Sequence, residues 1–444
     1  MFDPFNESLF RLDVEGLPDP FEVLAFTGNE ALSEPFAFEI DLLIDDPQLD
    51  LAGLLYRTAF LHFGAPGEGV HGQLQSLVQH EHGNPSRLCR VRLEPKLSCL
   101  QLRFSQRIFS GRSVPQILDQ VLREHGIVDS QRRFEWWADH PPRTFCTQYR
   151  ESDLQFLQRL CGQARIHYHF EHREDGHCLV FGDDPAQLPA VPVATFAGTG
   201  SESPAVQQWQ MQAHAESLAE QHVTRRAEGS SDLARLRCGQ WLPLTGHPFA
   251  ACNRPWLLTR VEHRADAYRE PAYRNRFHAV ERTPLAEAEP VPRRMHSLQR
   301  AWVVAVDEPR PEHSRPVAVQ FDWLYQGEGA ADSHCWLPLA PMLAETPLTA
   351  LAEGVEVVVS FFEGDPDQPM ISGVLQTAVV LEEEQCPPSP PAPTPLDEGL
   401  RHQLQAAEPL TLLCLIPGGG SYVHCAQSVC TCRLASSFEQ SSGR

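Results

Sequence analysis

The stretch FFEGDPDQPMISGVLQ, residues 361–376, decides how the last folded part of the chain is built. The run that leads into it, 355–362, is β-branched and aromatic, which predicts a largely buried strand. Gly364, Asp365 and Pro366 then predict a turn, because glycine tolerates a positive φ and proline fixes its own φ. The stretch therefore predicts an apolar strand that ends at a defined corner.

The remainder of the stretch predicts a second strand. Pro369 has no N–H to donate, so it favours a bulge or the first position of a strand. From Met370 to Leu375, successive side chains are expected on opposite faces. Asp365 and Asp367 are interpreted as a turn-forming pair. Nothing in this corner predicts catalysis.

Composition bounds the class of protein. With 444 residues the chain has room for about three domains, and 42% hydrophobic residues suffice for folded cores. The 36 Lys and Arg against 58 Asp and Glu give a net charge of −22, which argues against nucleic acid or an anionic membrane as a partner. The late apolar run at 410–416 is far shorter than the roughly 20 residues of a membrane-spanning helix, so stable membrane insertion is not expected.

The N terminus and the cysteines indicate the compartment. No cationic residue precedes Arg11 and no sustained apolar core follows, so no signal peptide is predicted. The 13 cysteines are scattered, and most of them, such as Cys89, Cys99, Cys161 and Cys178, stand in apolar contexts. This usage is typical of reduced thiols in a cytosolic protein. Assembly is therefore expected in the cytoplasm, and any export must bypass the general secretory route.

Strand-like patterns occupy most of the chain. Short apolar or alternating runs, separated by Gly, Pro and Asn, predict β-rich regions over 9–110, 190–285 and 298–378. Five short runs in the last region suggest a small barrel. The predicted divisions are a first domain over 1–285, a linker over 286–297, a barrel over 298–378, a Pro-rich spacer over 379–395 and a tail over 396–444.

Two helices are predicted between the first β-rich regions. In SVPQILDQVLREHG the apolar residues recur at helical spacing, Ser113 and Gln116 form a capping box, and Gly126 ends the helix. In ESDLQFLQRLCGQA, Ser152 is the predicted N-cap and Gln155 stands three residues later.

A predicted hairpin follows, with RIHYHFEH and HCLVFGD as strands and residues 173–176 as the turn. His167 and His169 share one face of its first strand, and His172 lies further along it. These histidines could suggest a metal site, but no carboxylate or thiolate of standard spacing completes a ligand set. A solvated strand face is the favoured interpretation.

The densest group of thiols, Cys425, Cys430 and Cys432 beside His424, lacks the C-x2-C spacing of a structural zinc site. Core or turn cysteines are favoured there, so neither a metal nor a cofactor is predicted. The sequence also lacks the G-x-S-x-G, H-E-x-x-H, phosphate-loop and dinucleotide fingerprints. No catalytic residue is predicted.

Several segments resemble, in the same order along the chain, the VgrG proteins that form the spike of the bacterial type VI secretion system. GDPDQPMISG resembles the family's characteristic turn, and RPVAVQFDW and SHCWLPLA resemble strands of its small oligonucleotide/oligosaccharide-binding (OB) type barrel. QYRESDLQFLQRLCGQARIHYHFEH resembles the family's most recognisable segment. The resemblance covers residues 8–378. The motif positions that carry it are Gly364, Asp365, Pro366, Asp367, Pro369, Gly373, Glu151, Ser152 and Asp153.

This resemblance implies a mainly β fold with some α structure. It implies two hub β-barrels with helical insertions, like the baseplate hub of contractile phage tails, followed by an OB-type barrel, a Pro-rich spacer and a short β tail. Family members continue into a long trimeric β-helix needle, whereas 49 residues follow the spacer here. EPLTLLCLIPGGGSYVHCA predicts two apolar strands, 410–416 and 421–425, around a glycine turn. TLLCLIPGGGSYVH is similar to one needle repeat, so the chain resembles a short form of the family.

The function that the resemblance implies is structural. A homotrimer would seat on a hexameric tube protein of Hcp type, because three protomers with two barrels each present six similar units. It would carry a PAAR-like tip and effector or adaptor proteins. Two alternatives stay open: an evolved spike with an enzymatic tail, and a barrel that binds a glycan or an oligonucleotide. The short tail argues against the former, and the acidic balance against the latter.

Overall fold

The computed structural model describes residues 9–46, 48–80, 87–198, 203–215, 223–281, 294–307, 310, 313–322, 334–343, 351–375, 414–416, 420–425 and 428–431. The chain divides into two compact units, Met1–Arg294 and Met295–Arg444. This division falls inside the predicted linker. The predicted Pro-rich spacer lies outside the described residues.

Six antiparallel strands close the first barrel in the order β1-β4-β5-β6-β3-β2, with β1 also paired to β2. Alternate residues of the third strand are buried, which is the period of a strand with one covered face. The strands are β1 (Arg11–Val14), β2 (Phe21–Ala31), β3 (Ala37–Ile44), β4 (Thr58–His62), β5 (Gly69–His80) and β6 (Arg87–Glu94).

A second, more open barrel continues the same sheet, because β2 pairs with a strand of this barrel over seven residue pairs, from Ala25 to Ala31. Its strand order is β13-β14-β17-β16-β15-β12, and a bridge between Phe196 and Val206 links the two ends. Trp256 and Phe277 lie at the centre of its core. The strands are β12 (Ala194–Thr195), β13 (Val206–Ala215), β14 (Val223–Ser231), β15 (Trp241–Thr245), β16 (Pro255–Asp266) and β17 (Tyr273–Val280).

The insertion between the barrels holds both helices and two small sheets. Each helix begins at its predicted capping box, and the apolar faces of both belong to the core of the first barrel. β7 pairs with β9, while β10, β11 and β8 form the other sheet. The elements are β7 (Phe104–Phe109), α1 (Val114–Glu124), β8 (Arg132–Glu135), β9 (Cys146–Ser152), α2 (Asp153–Ala164), β10 (His167–Arg173) and β11 (Gly176–Gly182).

The third barrel belongs to the second compact unit. Its five strands follow the order β20-β19-β18-β21-β22. The Ala340 N–H donates to the Ile371 carbonyl at 2.8 Å, and the Ile371 N–H donates to the Pro338 carbonyl at 2.9 Å, which links the two ends. The strands are β18 (Gln299–Val303), β19 (Val317–Phe321), β20 (Cys335–Leu337), β21 (Glu356–Phe361) and β22 (Pro369–Leu375).

The mainly β fold, with hub barrels and helical insertions, is confirmed, but two details of the sequence prediction are wrong. β21 is not largely buried: Val357, Val359 and Phe361 are buried, whereas the residues between them are half-buried, because only one face of the strand is covered. The tail has a three-stranded sheet rather than two strands. It consists of β23 (Cys414–Ile416), β24 (Gly420–Cys425) and β25 (Ser428–Thr431).

Candidate functional site

The corner that joins β21 to β22 is fixed by its own backbone. Gly364 adopts a φ of +76°, a conformation that costs a residue with a Cβ atom about 1–2 kcal/mol. The Asp367 N–H donates to Asp365 Oδ1 at 2.9 Å, and the Gln368 N–H donates to the Asp365 carbonyl at 3.0 Å. The Phe362 N–H donates to the Gln368 carbonyl at 3.0 Å, which closes the corner. The two aspartates therefore have turn-forming roles here.

The corner also anchors the start of its own compact unit. The N–H of buried Met295 donates to the Gly364 carbonyl at 2.7 Å. Pro366 and Pro369 are buried, and Pro369 is the first residue of β22. Gly373 lies within that strand opposite Val358, where an added Cβ atom would meet an ordinary contact of 3.6 Å. Of the motif glycines, only Gly364 is required by its backbone conformation.

The other motif, Glu151–Ser152–Asp153, lies where β9 runs directly into α2. All three side chains are buried. The Gln155 N–H donates to Ser152 Oγ at 3.2 Å, and the Ser152 N–H donates to Gln155 Oε1 at 3.1 Å. This reciprocal pair satisfies two backbone donors that the first turn of a helix otherwise leaves without partners.

Asp153 is the centre of a buried ion network. Its carboxylate lies 2.9 Å from Arg103 Nε and 3.1 Å from an Arg107 guanidinium nitrogen. It also accepts from Gln148 Nε2 at 2.8 Å and lies 2.7 Å from His125 Nε2. Since the Asp153 side chain is fully buried, these contacts replace the water that an ionised carboxylate requires.

The network keeps the Asp153 carboxylate charged. Burial alone would raise the pKa of Asp153, but hydrogen bonds from His125 and Gln148 and the charges of Arg107 and Arg103 hold that pKa below its usual value. Arg107 is itself buried, and its remaining nitrogens contact Glu124 at 2.5 Å and Gln148 at 3.0 Å. The arrangement therefore neutralises its charges internally.

Glu151 forms a separate buried pair with Arg159 of α2. Arg159 donates to the two Glu151 oxygens at 2.6 and 3.1 Å and to the Thr147 carbonyl at 2.8 Å. Because Glu151 and Thr147 belong to β9, this pair packs the second turn of α2 against that strand. The junction, defined here as Glu151, Asp153 and their partners, thus joins β7, β9 and both helices. Its geometry provides rigidity rather than chemistry.

A third buried polar cluster lies at the seam where β2 pairs with β16. The Glu30 carboxylate lies 3.1 Å from His263 Nε2 and 3.5 Å from Arg237 Nε. Burial would raise the pKa of Glu30, but the charge of Arg237 and the contacts of His263 lower it to about 2. Tyr273 extends the cluster, with its hydroxyl 2.6 Å from His263 Nδ1. Sequence reasoning did not predict this cluster, because its members are far apart in the chain.

The predicted solvated histidine face is wrong. His167 and His169 are only 5% and 3% exposed. They share a face as predicted, but residues near Gly239 cover it: an added Cβ atom at Gly239 would lie 2.7 Å from the His169 Cβ atom. Gly239 also has a φ of +75°. The sequence could not indicate this cover, because it comes from about 70 residues further along the chain.

A metal site is not found among the described residues: no group of three or more His, Cys, Asp or Glu there could hold a metal ion. The side chains of Cys425, Cys430, Cys432 and His424 lie outside that part of the chain. Of the cysteines whose side chains the structure describes, seven are buried, and Cys99 is half-buried and lies 3.4 Å from the Gln75 amide nitrogen. None of the described helices is long and apolar enough to cross a membrane.

Comparison with known families identifies the first compact unit. The model of the phage tail baseplate hub (GPD) family matches residues 29–219 and 210–268. These ranges include most of both barrels, the insertion and the Glu151–Ser152–Asp153 junction, whereas β1, most of β2 and β17 lie outside them.

Two curated relatives extend the similarity beyond the hub. The chain is 35% identical to the type VI secretion system spike protein VgrG5 of Pseudomonas aeruginosa PAO1 over 84% of this chain and 58% of that protein. It is 33% identical to VgrG4b of the same strain over 85% of this chain and 57% of that protein. The chain thus spans somewhat more than half the length of these relatives.

A solved structure supports the fold. The Escherichia coli c3393 protein is described as a component of the type VI secretion system that is structurally similar to the T4 bacteriophage tail proteins gp27 and gp5. It superposes with a TM-score of 0.69 at 24% identity, over 82% of this chain and 99% of that one. The chain belongs to the phage tail baseplate hub (GPD) family and is a homologue of the VgrG spike proteins.

Proposed function

We propose that this chain is a structural hub of a type VI secretion spike, which caps the tube of the apparatus and carries tip or effector proteins. The observation that carries the proposal is the pair of barrels in one continuous sheet, joined through β2 and β16. Three such protomers would present six similar barrels, so a threefold assembly could match a sixfold tube ring. The relatives named as spike proteins support the same role.

The proposed partners are two further copies of this chain, a hexameric tube protein of Hcp type, a PAAR-like tip, and effector or adaptor proteins.

Rigidity is the property that such a hub needs, because force would come from other parts of the apparatus. The buried junction around Asp153 and the pair between Glu151 and Arg159 supply rigidity, since each fixes a helix to a strand through paired charges. No catalytic step is assigned to this chain.

The five domains are proposed as predicted from the sequence, with the tail over 396–444 as a docking stub. Its backbone forms three antiparallel strands, and a small isolated sheet has open edges that soluble proteins usually cover. Three copies brought together could cover them. We expect deletion of residues 396–444 to leave the hub folded and to abolish recruitment of a tip or effector protein. If the deletion unfolded the hub or left every partner bound, this role of the tail would be excluded.

Export tests the whole proposal. In a bacterium with the apparatus, we expect the chain in the culture medium only when sheath contraction is intact, without removal of an N-terminal segment.

The purified protein should also bind preformed hexameric rings of the tube protein. Asp153→Ala should weaken ring binding by loosening the insertion, and the matched control, Asp139→Ala at an exposed position, should not. Export that persisted without the sheath would contradict the proposal.

A further inference from the structure

Near its turn, the hairpin of β10 and β11 contacts β5 of the first barrel through histidines. His172 and His177 stand directly opposite each other in the hairpin register, just before its turn. His71 of β5 meets both of them. We define these three side chains as the histidine latch.

Two hydrogen bonds join the hairpin to β5 through this latch. The His71 N–H donates to His172 Nδ1 at 3.2 Å, and His71 Nδ1 lies 3.0 Å from His177 Nδ1. A ring nitrogen that accepts a hydrogen bond carries no proton, and a charged imidazolium has only donors. The first bond therefore requires His172 to be neutral, and the second requires at least one neutral ring. Protonation of His172 converts the first bond into two facing donors, and protonation of both His71 and His177 does the same to the second.

The surroundings oppose charge on these rings. Phe36 packs edge-on against the His172 ring at 5.0 Å and the His177 ring at 5.9 Å, and Phe170 lies 5.8 Å from His177. His172 and His177 are half-buried, and the aromatic rings cannot solvate an imidazolium on the side that they cover. The charged groups that face the three rings are Glu15, Glu30, Lys96, Asp175 and Arg237.

These charged groups do not offset the free-energy cost of placing a positive charge on the latch histidines. Glu30 is engaged by Arg237 and His263 at the seam, and Lys96 adds positive charge near His177. Burial, helped by positive neighbours, lowers the pKa of both His172 and His177 to about 3, while burial also lowers the pKa of His71.

A cleft of about 760 Å³ adjoins the latch. It is lined by two of the three latch residues, His71 and His177, by the hairpin turn and by polar residues of β1 and β4. The turn itself, residues 173–175, is exposed. Movement of the turn away from β5 would therefore widen an existing opening and expose the latch to water without displacing the inner half of the hairpin. Tyr168 in that inner half is fully buried and is tied to Ser33 by backbone and side-chain hydrogen bonds.

We infer that the tip of this hairpin is an acid-released latch: protonation of His172 and His177 frees residues 171–178 from β5 while both barrels stay folded. A released histidine titrates near 6.5. At pH 5.0 each of these two groups would therefore favour the released form by roughly 30-fold relative to neutral pH. The inference rests on hydrogen-bond geometry inside the hub and does not depend on the proposed function.

Hydrogen exchange of the full chain tests the latch. After correction for the intrinsic pH dependence of exchange, we expect protection of residues 171–178 to fall at least tenfold between pH 7.5 and pH 5.0. Protection of β16 and β17 should stay above that of the tip at every pH, because their exchange requires unfolding of the barrel. Unchanged protection of the tip, or exchange of the tip only together with β16 and β17, would overturn the inference.

Variants assign the effect to the latch. In the double variant His172→Gln and His177→Gln, the amide oxygens can accept hydrogen bonds but do not titrate, so the acid response of the tip should disappear. His80→Gln is the matched control, because His80 is an exposed residue of the same strand as His71. An acid response that persisted in the double variant would contradict the assignment. Should that variant fail to fold, the exchange of the wild-type chain decides alone.

Discussion

The corner at Gly364 and the junction around Asp153 are both motif positions of one family, yet they are held together in opposite ways. The corner depends on contacts between residues at most a few positions apart, with Met295 as its one distant partner described above. The junction depends on four elements and on buried charges separated by up to 50 residues. Local geometry can be read from the chain, whereas a charge network exists only after folding.

The largest expected effect is in the junction. Asp153→Ala leaves the buried Arg107 and its neighbour Arg103 without their shared carboxylate, and breaking a buried pair costs about 3–5 kcal/mol. We expect the free energy of unfolding of the hub to fall by that amount in a urea titration, with the third barrel unchanged. Asp139→Ala, an exposed position of the same insertion, is the control. A loss at Asp153 no larger than at Asp139 would show that the network is not structural.

Acid should destabilise the first compact unit and leave the stability of the second unchanged. Burial lowers the pKa of His167 to about 4 and of His172 and His177 to about 3. These histidines are neutral when folded and charged when unfolded, so their contribution is complete above pH 6.5 and is lost as the pH falls below it. We expect the hub to lose about 2–4 kcal/mol between pH 7.5 and pH 5.5, before carboxylates titrate.

The third barrel is the internal reference for that titration. None of its histidines within the described residues of 294–375 is buried. Its melting temperature should therefore stay constant over the same pH interval, as followed by calorimetry with two resolved transitions. Equal acid sensitivity of the two transitions would contradict the assignment to these three histidines of the hub.

A smaller loss of stability is expected at the corner. Gly364→Ala places a Cβ atom at a φ of +76°, which should cost the third barrel about 1–2 kcal/mol. Gly373→Ala is the matched control, because that glycine has ordinary strand geometry and an added Cβ atom would make an ordinary contact of 3.6 Å with Val358. Thermal melting of both variants measures the difference. If the two melted alike, the corner would not depend on Gly364.

The smallest effect tests the local signal inside the junction. Ser152→Ala removes the side-chain acceptor for the Gln155 N–H and should cost about 1 kcal/mol. Ser152→Thr keeps a hydroxyl and should restore most of that stability. If Ser152→Ala cost as much as Asp153→Ala, the cap and the ion network would be one unit rather than a local feature beside a distant one.

The same contrast explains what the sequence could and could not predict. Ser152 and Gln155 are three residues apart, so their capping box is visible in the sequence, as is the corner at Gly364. Arg237 and Glu30 are more than 200 residues apart, and no spacing rule connects them. The histidine face was assigned to solvent because its cover near Gly239 belongs to another barrel. Elements and corners were predictable, and the contacts between barrels were not.

The hub proposal is tested most directly by the mass of the purified chain in solution. Light scattering over a wide concentration range, alone and with the tube protein, should give three protomer masses at high concentration, or on addition of tube rings. The trimer alone should dissociate on dilution if the described barrels and tail hold it only weakly. A stable dimer at high concentration, unchanged by the tube protein, would contradict the account, because two protomers cannot present six barrels to a sixfold ring.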